Sequence, residues 1–491
     1  MKPWPKHPVI YEINSWVWLR ELAGGGAPLS LADVPAKDWD AIAARGFDAV
    51  WLMGVWERSP AGIDISMRNQ GLLDDFQRAL PDFTATDNVG SPYCVRNYVV
   101  DPHLGGPQGL AIARTELATR GIRLILDFVP NHVAHDHPWV CYHPDYFIQG
   151  TLDDSVREPG AFLSAGGNVY ACGRDPFFPA WADVLQLNAF SPGLRQATIA
   201  TLLDIAAQCD GVRCDMSMLM LNDIFERTWG EKAGAKPEQD YWKTVIPAIK
   251  AQWPEFRFMA EAYWDLEWEL QQQGFDFCYD KKLYDRMEHG SAENVRLHLC
   301  ADMDYQMGMV RFIENHDEPR AAAAFPDGKA RAAAVAALTL PGARLLHEGQ
   351  FDGRTVRLPV FLARRPTELL DQELAAFYQK LLEETGGELF RNGDWRLCER
   401  SGWPGNQSCQ NILTWCWSRD GERALILVNY AEVTSQALVR VPWDELRDRM
   451  WRLEDRLSGQ SYERNGFDIR DAGLYVDLKP WQCHLFTVLK L

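Results

Sequence analysis

The sequence predicts an α/β chain built on a closed (β/α)8 barrel, with a small domain inserted after the third strand and an antiparallel β-sandwich at the C-terminus. Three observations carry this expectation. Eight short β-like runs recur between residues 9 and 350. Helical patterns separate most of them, as parallel strands require. The runs are almost continuously apolar, which suits strands buried on both faces rather than strands with one wet face. Eight strand–helix alternations fit a closed barrel better than an open doubly wound sheet.

In chain order the runs are VIYEINSW (9–16), AVWLMGVW (49–56), RLILDFVPNH (123–132), GVRCDMS (211–217), RFMAEAYW (257–264), FDFCYDKKLYD (275–285), VRFIENHD (310–317) and ARLLHEGQ (343–350). Between the third and fourth, SPGLRQATIATLLDIAAQ reads as a helix: Ser191 caps it, Pro192 takes the first turn, and Ile199, Leu202, Leu203 and Ala206 form one apolar stripe.

Two stretches break the alternation. From His132 to Val184 the chain is rich in Gly, Pro and aromatics. A structureless loop of that length is rare, so it reads as a small domain over the barrel mouth. Toward the C-terminus NILTWCWS, ALILVNYA, ALVRVP and HLFTVLKL read as sandwich strands. The expected organisation is a barrel of residues 1–132 and 185–385, an insertion of 133–184 and a sandwich of 386–491.

Composition narrows the function. A net charge of −18, from 50 Lys and Arg against 68 Asp and Glu, argues against nucleic acid or an anionic membrane as partner. A neutral ligand fits better. No leader-like apolar segment opens the chain and no run approaches the ~20 apolar residues of a membrane span, so a cytoplasmic protein is expected. Eleven cysteines without a CxxC pair read as reduced thiols rather than a disulfide framework or zinc site. The 20 tryptophans exceed what core packing needs and offer flat apolar platforms of the kind neutral sugar rings favour.

Barrel active sites sit at the C-terminal ends of the strands, so the polar tails of the runs carry the chemistry. Four tails bear carboxylates: DFVPNH with Asp127, Asn131 and His132, GVRCDMSM with Arg213 and Asp215, FMAEAYWD with Glu261, and FIENHDE with His316 and Asp317. Helix capping is the plain alternative for Asp215 and Asp317, but three such residues at three strand ends point to chemistry. Asp127 and Asn131 fit structure or function equally. His132, His135 and His137 lack a fourth partner at metal-ligand spacing.

These tails resemble the four ordered signature regions of the alpha-amylase superfamily, glycoside hydrolase family 13, on the third, fourth, fifth and seventh strands. QLNAFSP (186–192), GSPYCVRNYVVDPHLGG (90–106) and LPGARLLHEGQ (340–350) are similar to further family segments. The resemblance implies that Asp215 is the nucleophile, Glu261 the general acid/base and Asp317 the carboxylate that holds sugar hydroxyls. Retaining cleavage of a glycosidic bond needs two carboxyl groups about 5–5.5 Å apart, one ionised and one protonated. Arg213 shares a strand face with Asp215 and is expected to keep it ionised. Glu261 follows Phe258, Met259 and Ala260 and lies near Tyr263 and Trp264, and partial desolvation beside anionic neighbours is expected to keep it protonated. His132 and His316 are expected to donate to sugar hydroxyls, with Tyr93 stacking under the ring.

The expected activity is retaining hydrolysis of an α-glucan or α-glucoside by double displacement. Transglycosylation, or isomerisation or splitting of a small glucoside, uses the same residues, and a non-catalytic sugar- or protein-binding scaffold is a rival of another class. Three departures bear on detail. Met218 and Leu219 stand where many members have Lys-His, Cys94 and Asn97 replace two carboxylates of some subfamilies, and HEGQFDG replaces a more usual ending. No cofactor is expected. The family's calcium site uses the backbone of that missing His and an Asn matching Asn131, so calcium is disfavoured.

Overall fold

A computed structural model describes residues 3–326, 328–447 and 449–491. Eight strands, β1 (Val9–Asn14), β2 (Ala49–Met53), β3 (Arg123–Phe128), β4 (Gly211–Cys214), β5 (Arg257–Ala260), β6 (Phe277–Tyr279), β7 (Met309–Arg311) and β8 (Ala343–His347), close into a barrel in the order β1-β8-β7-β6-β5-β4-β3-β2. The eight coincide with the eight predicted runs; only Met309 precedes its run. Every residue of β1, β2 and β3 is buried, which is why these strands do not alternate.

The helix Pro192–Ala206 is capped as expected, Ser191 Oγ accepting the Leu194 N–H at 3.3 Å. Its buried stripe is shifted, running through Leu194, Thr198, Leu202, Ile205 and Ala206. Ile199 and Leu203 are only half-buried. Leu194 instead joins the apolar cluster of the following sheet, and that contact sets the rotation.

Contacts divide the chain into two compact units. One comprises Tyr11–Tyr279 and Val356–Glu368, the other Trp4–Ile10, Asp280–Thr355 and Leu369–Leu491. Besides its share of the barrel, the first holds a four-stranded antiparallel sheet, His132–Ala134, Trp181–Gln186, Asn168–Gly173 and Phe162–Ala165 in spatial order. Val133, Val140, Phe147, Tyr170, Leu185 and Leu187 form its core.

The second unit carries a six-stranded and a three-stranded antiparallel sheet. Cys416, Leu425, Leu427 and Phe486 of the larger pack with Ala437, Val439 and Val476 of the smaller, which makes the pair a sandwich. Ile412–Arg419 is buried on its other face too. There Trp415 Nε1 donates to Thr339 Oγ1 at 3.1 Å and Trp417 Nε1 to the Thr339 carbonyl at 2.7 Å. Two of the many tryptophans are thereby packing residues with satisfied N–H groups. No helix among the described residues is long and apolar enough to cross a membrane.

Two fully buried arginines, Arg311 and Arg344, stand abreast in β7 and β8. Arg344 donates to the carbonyls of His7 at 2.6 Å and Leu338 at 3.2 Å. Arg311 pairs with the buried Asp280, which also takes His298 Nε2 at 2.9 Å. Burial pulls Arg311 down to about 9, and removing Asp280 would leave it a buried charge without its counter-ion. Asp280→Ala should therefore lower the unfolding free energy, measured in urea, by about 3–5 kcal/mol. A loss under about 1 kcal/mol would show that Arg311 is held by carbonyls alone.

Burial also lowers His7 to about 3 and His132 and His137 to about 4. Unfolded histidines titrate near about 6.5, so between that pH and about 4 the unfolded chain binds protons that the folded chain refuses. Stability is then full above the unfolded value and falls as pH drops. His132→Gln should remove about 2–3 kcal/mol from the stability lost between about pH 7 and pH 4.5. An unchanged loss in urea titrations would contradict a neutral, buried His132.

Candidate active site

Parallel pairing places Arg213 of β4 level with Asp127 of β3 and Met259 of β5. The Arg213 side chain is wholly buried and makes two ion pairs, Nη1 to Asp215 Oδ1 at 2.6 Å and Nη2 to Glu261 Oε2 at 2.9 Å. One cation thus holds both carboxylates. Its Cζ lies 5.0 Å from the ring centre of Tyr93, 5.5 Å from Trp51 and 5.6 Å from Tyr279. Burial opposes the charge, but Glu261, the two tyrosines and Asp215 hold its pKa well above the ordinary value.

The backbone presents the pair. Asp215 N–H donates to Phe128 O at 2.8 Å and Glu261 N–H to Cys214 O at 3.0 Å, so both residues continue the sheet pairing one step past the strand ends. Met216 then turns left-handed, with φ 42° and ψ 45°, and its N–H reaches Glu261 Oε2 at 2.7 Å. Trp264 and Asp265, beyond Glu261, also have positive φ, 65° and 62°. Such residues cost of order 1–3 kcal/mol each and collect where function imposes geometry.

Glu261 is buried and shares its cation with a second carboxylate, but it is also met by polar donors. Arg213, the Met216 N–H and the Tyr263 hydroxyl, 2.8 Å from Oε1, all converge on it. Two hydrogen-bond donors and a guanidinium charge suit a carboxylate. The left-handed turn at Met216, invisible in the residue pattern, is what brings the amide there.

Tyr93 is half-buried, its N–H donating to Ser91 Oγ at 3.1 Å. His132 is buried, hydrogen-bonded to the Tyr93 backbone and edge-on to Trp181 at 5.2 Å. Asp127 and Asn131 brace the scaffold. Asp127 accepts from Gly54 N–H at 2.7 Å and Trp51 Nε1 at 3.1 Å. A Cβ on Gly54, at φ +76°, would meet the Arg58 guanidinium at 2.6 Å and Pro92 at 3.0 Å, so glycine alone lets that loop approach. Asn131 is bound to Gln186, whose Nε2 donates to its Oδ1 at 2.8 Å and its carbonyl at 3.0 Å.

The first unit therefore brings together Arg213, Asp215, Glu261, Tyr93 and, through the Tyr93 backbone, His132. In the second unit His316 Nε2 lies 2.9 Å from Asp317 Oδ2, and the Asp317 side chain is 42% exposed. The turn that presents them is built by their neighbours. Asn315 Oδ1 accepts the N–H groups of Asp317 and Glu318, each at 2.9 Å. Glu314 binds Arg320 at 2.6 Å and the Ala321 N–H at 2.7 Å, and Arg320 in turn reaches the Glu348 carbonyl at 3.0 Å. Sequence reading placed Tyr263 near Glu261 but passed over Glu314, Arg320, Trp51 and Tyr279. The signal for Glu314 was a lone charge inside the apolar run FIE; the others gave none. Among the described residues no group of three or more His, Cys, Asp or Glu is placed to hold a metal.

No family model matches the chain. It is 24% identical over 364 residues to the alpha-amylase MalA of Haloarcula japonica, covering 72% of this chain and 45% of that protein. It is 22% identical over 306 residues to alpha-amylase 3 of Dictyoglomus thermophilum, covering 57% of each. The chain thus spans about half the length of these curated relatives. Among solved structures, the noncanonic maltogenic alpha-amylase AmyB from Thermotoga neapolitana matches with a TM-score of 0.70 at 17% identity over 99% of both chains. That likeness establishes the fold, and the curated relatives to which the chain is similar over 72% and 57% of its length are alpha-amylases.

Proposed function

We propose that the protein is a retaining α-glycoside hydrolase acting on α-glucosidic oligosaccharides. The observation that carries this reading is the Arg213 guanidinium bound to Asp215 at 2.6 Å and to Glu261 at 2.9 Å, which places two carboxyl groups around one cation at the barrel mouth. Relatives named alpha-amylases support the substrate class. The barrel is taken as residues 1–132 and 185–385, the insertion as 133–184 and the sandwich as 386–491. The free thiols of all 11 cysteines fit a cytoplasmic setting.

In the proposed cycle Asp215 attacks the anomeric carbon while Glu261 gives its proton to the leaving oxygen. The C–O bond to the leaving sugar breaks as the ester to Asp215 forms. Glu261, now a carboxylate, takes a proton from water, and the resulting hydroxide displaces Asp215 with net retention. A sugar hydroxyl in place of that water gives transglycosylation. Asp317 and His316 are assigned to sugar hydroxyls, His132 to a hydroxyl beside Tyr93, and Tyr93 to stacking under the ring.

Incubating wild type and Asp215→Asn with maltose, maltotriose, isomaltose, trehalose, sucrose and soluble starch tests the reading by product chromatography. Wild type should release glucose or shorter glucans, and the variant should lose about a thousandfold or more in kcat. Activity within about tenfold of wild type would remove Asp215 as nucleophile. Products longer than the donor would identify a transglycosylase.

Glu261→Gln separates the acid role. It should slow maltotriose cleavage far more than cleavage of an activated aryl glycoside, whose leaving group departs without a proton. Equal losses on the two substrates would assign the acid elsewhere.

A further inference from the structure

Of the three rings around Arg213, only Tyr93 has appreciable exposed surface; Trp51 and Tyr279 are both 0% exposed. Neither of these two can touch a substrate, and whatever they do for the site they do through the arginine. Trp51 is itself fixed, since its Nε1 is tied to Asp127. Tyr279 ends β6, with its ring centre 5.6 Å from the Arg213 Cζ. Burial, with Glu12 and Glu261 nearby, raises its hydroxyl well above the ordinary range despite the opposing charge of Arg213 and a side-chain hydrogen bond with it, so it stays neutral and Tyr279 meets the arginine through both ring and hydroxyl.

The guanidinium is in a demanding position. It has to serve two carboxylates at once, with Nη1 at Asp215 and Nη2 at Glu261. Rocking its plane lengthens one pair as it shortens the other. Aromatic faces around the cation resist that motion, because the attraction is lost as the plane turns away.

We propose that Tyr279 is a positioning residue, its ring holding Arg213 at the angle from which one guanidinium reaches Asp215 and Glu261 together. The proposal rests on the assignment of those two carboxylates as nucleophile and acid/base. It deepens that reading by adding a residue from β6 that never contacts sugar. Loss of the ring should slow formation of the glycosyl ester without changing how substrate binds.

Tyr279→Met keeps the side-chain volume without the ring, and Tyr279→Phe keeps the ring without the hydroxyl. On a chromogenic aryl α-glucoside Tyr279→Met should lose about twentyfold in kcat with KM within about twofold, as for a desolvated cation–π contact that matters only in the productive geometry. Tyr279→Phe should recover to within about threefold of wild type. A fluorinated α-glucosyl fluoride gives a second readout by intact mass: fluoride leaves as the ester to Asp215 forms, and labelling of Tyr279→Met should be slower by the same factor. Tyr279→Leu serves if Tyr279→Met does not melt cooperatively.

Unchanged kcat and labelling in the ringless variant would overturn the proposal, as would a loss in KM alone or a Tyr279→Phe as slow as Tyr279→Met. A wild type that neither turns over nor labels fails differently: it removes the underlying glycosidase reading, and the positioning role with it.

Discussion

Everything at this barrel mouth depends on a single buried cation. Arg213 is wholly out of water, and an arginine there needs both counter-charge and contact. Asp215 and Glu261 supply the first, and Trp51, Tyr93 and Tyr279 the second. The constraint runs both ways. Without the arginine, two carboxylates at neighbouring strand ends would repel; without the carboxylates, an isolated buried charge would be too costly for the barrel.

The polar strand ends divide into groups that are presented and groups that brace. Asp127 ties Gly54 and Trp51 to β3, and Asn131 is fastened to Gln186. Glu314 and Arg320 close the turn that carries His316 and Asp317. In each case the bracing residue is buried and hydrogen-bonded to backbone groups, a neutral side chain or a charge of opposite sign, as a buried polar group must be. The same logic makes Asp280 answer for Arg311 deeper in the second unit.

The strands were legible because burial on both faces leaves a plain mark: an apolar run that stops at polar residues. Their ends were legible through the barrel rule, which is why Asp215, Glu261 and Asp317 stood out together. What sequence could not show was which neighbours face them. Met216 looks like one more apolar residue, yet its left-handed turn delivers an amide to the buried Glu261. The helix stripe moved for a similar reason: Leu194 found a partner in the inserted sheet, and periodicity alone does not say which face has one. Tyr279 was visible only as part of a polar-tailed run, with nothing to connect it to Arg213.

The charges around Arg213 also bear on how one pair of carboxyls could serve both halves of the proposed cycle. Before attack, an ionised Asp215 and a protonated Glu261 set one negative charge against the guanidinium. After the ester forms, Asp215 is neutral and Glu261 has given up its proton, so again one negative charge faces it. The proton and the glycosyl group change sides while the local net charge stays fixed. No buried ion is left unpaired in either state, which is what a low-dielectric site requires. The Tyr263 hydroxyl and the Met216 amide then find their place in the second half, where they stabilise Glu261 as the carboxylate that activates water. In the first half substrate must weaken those contacts for Glu261 to hold a proton.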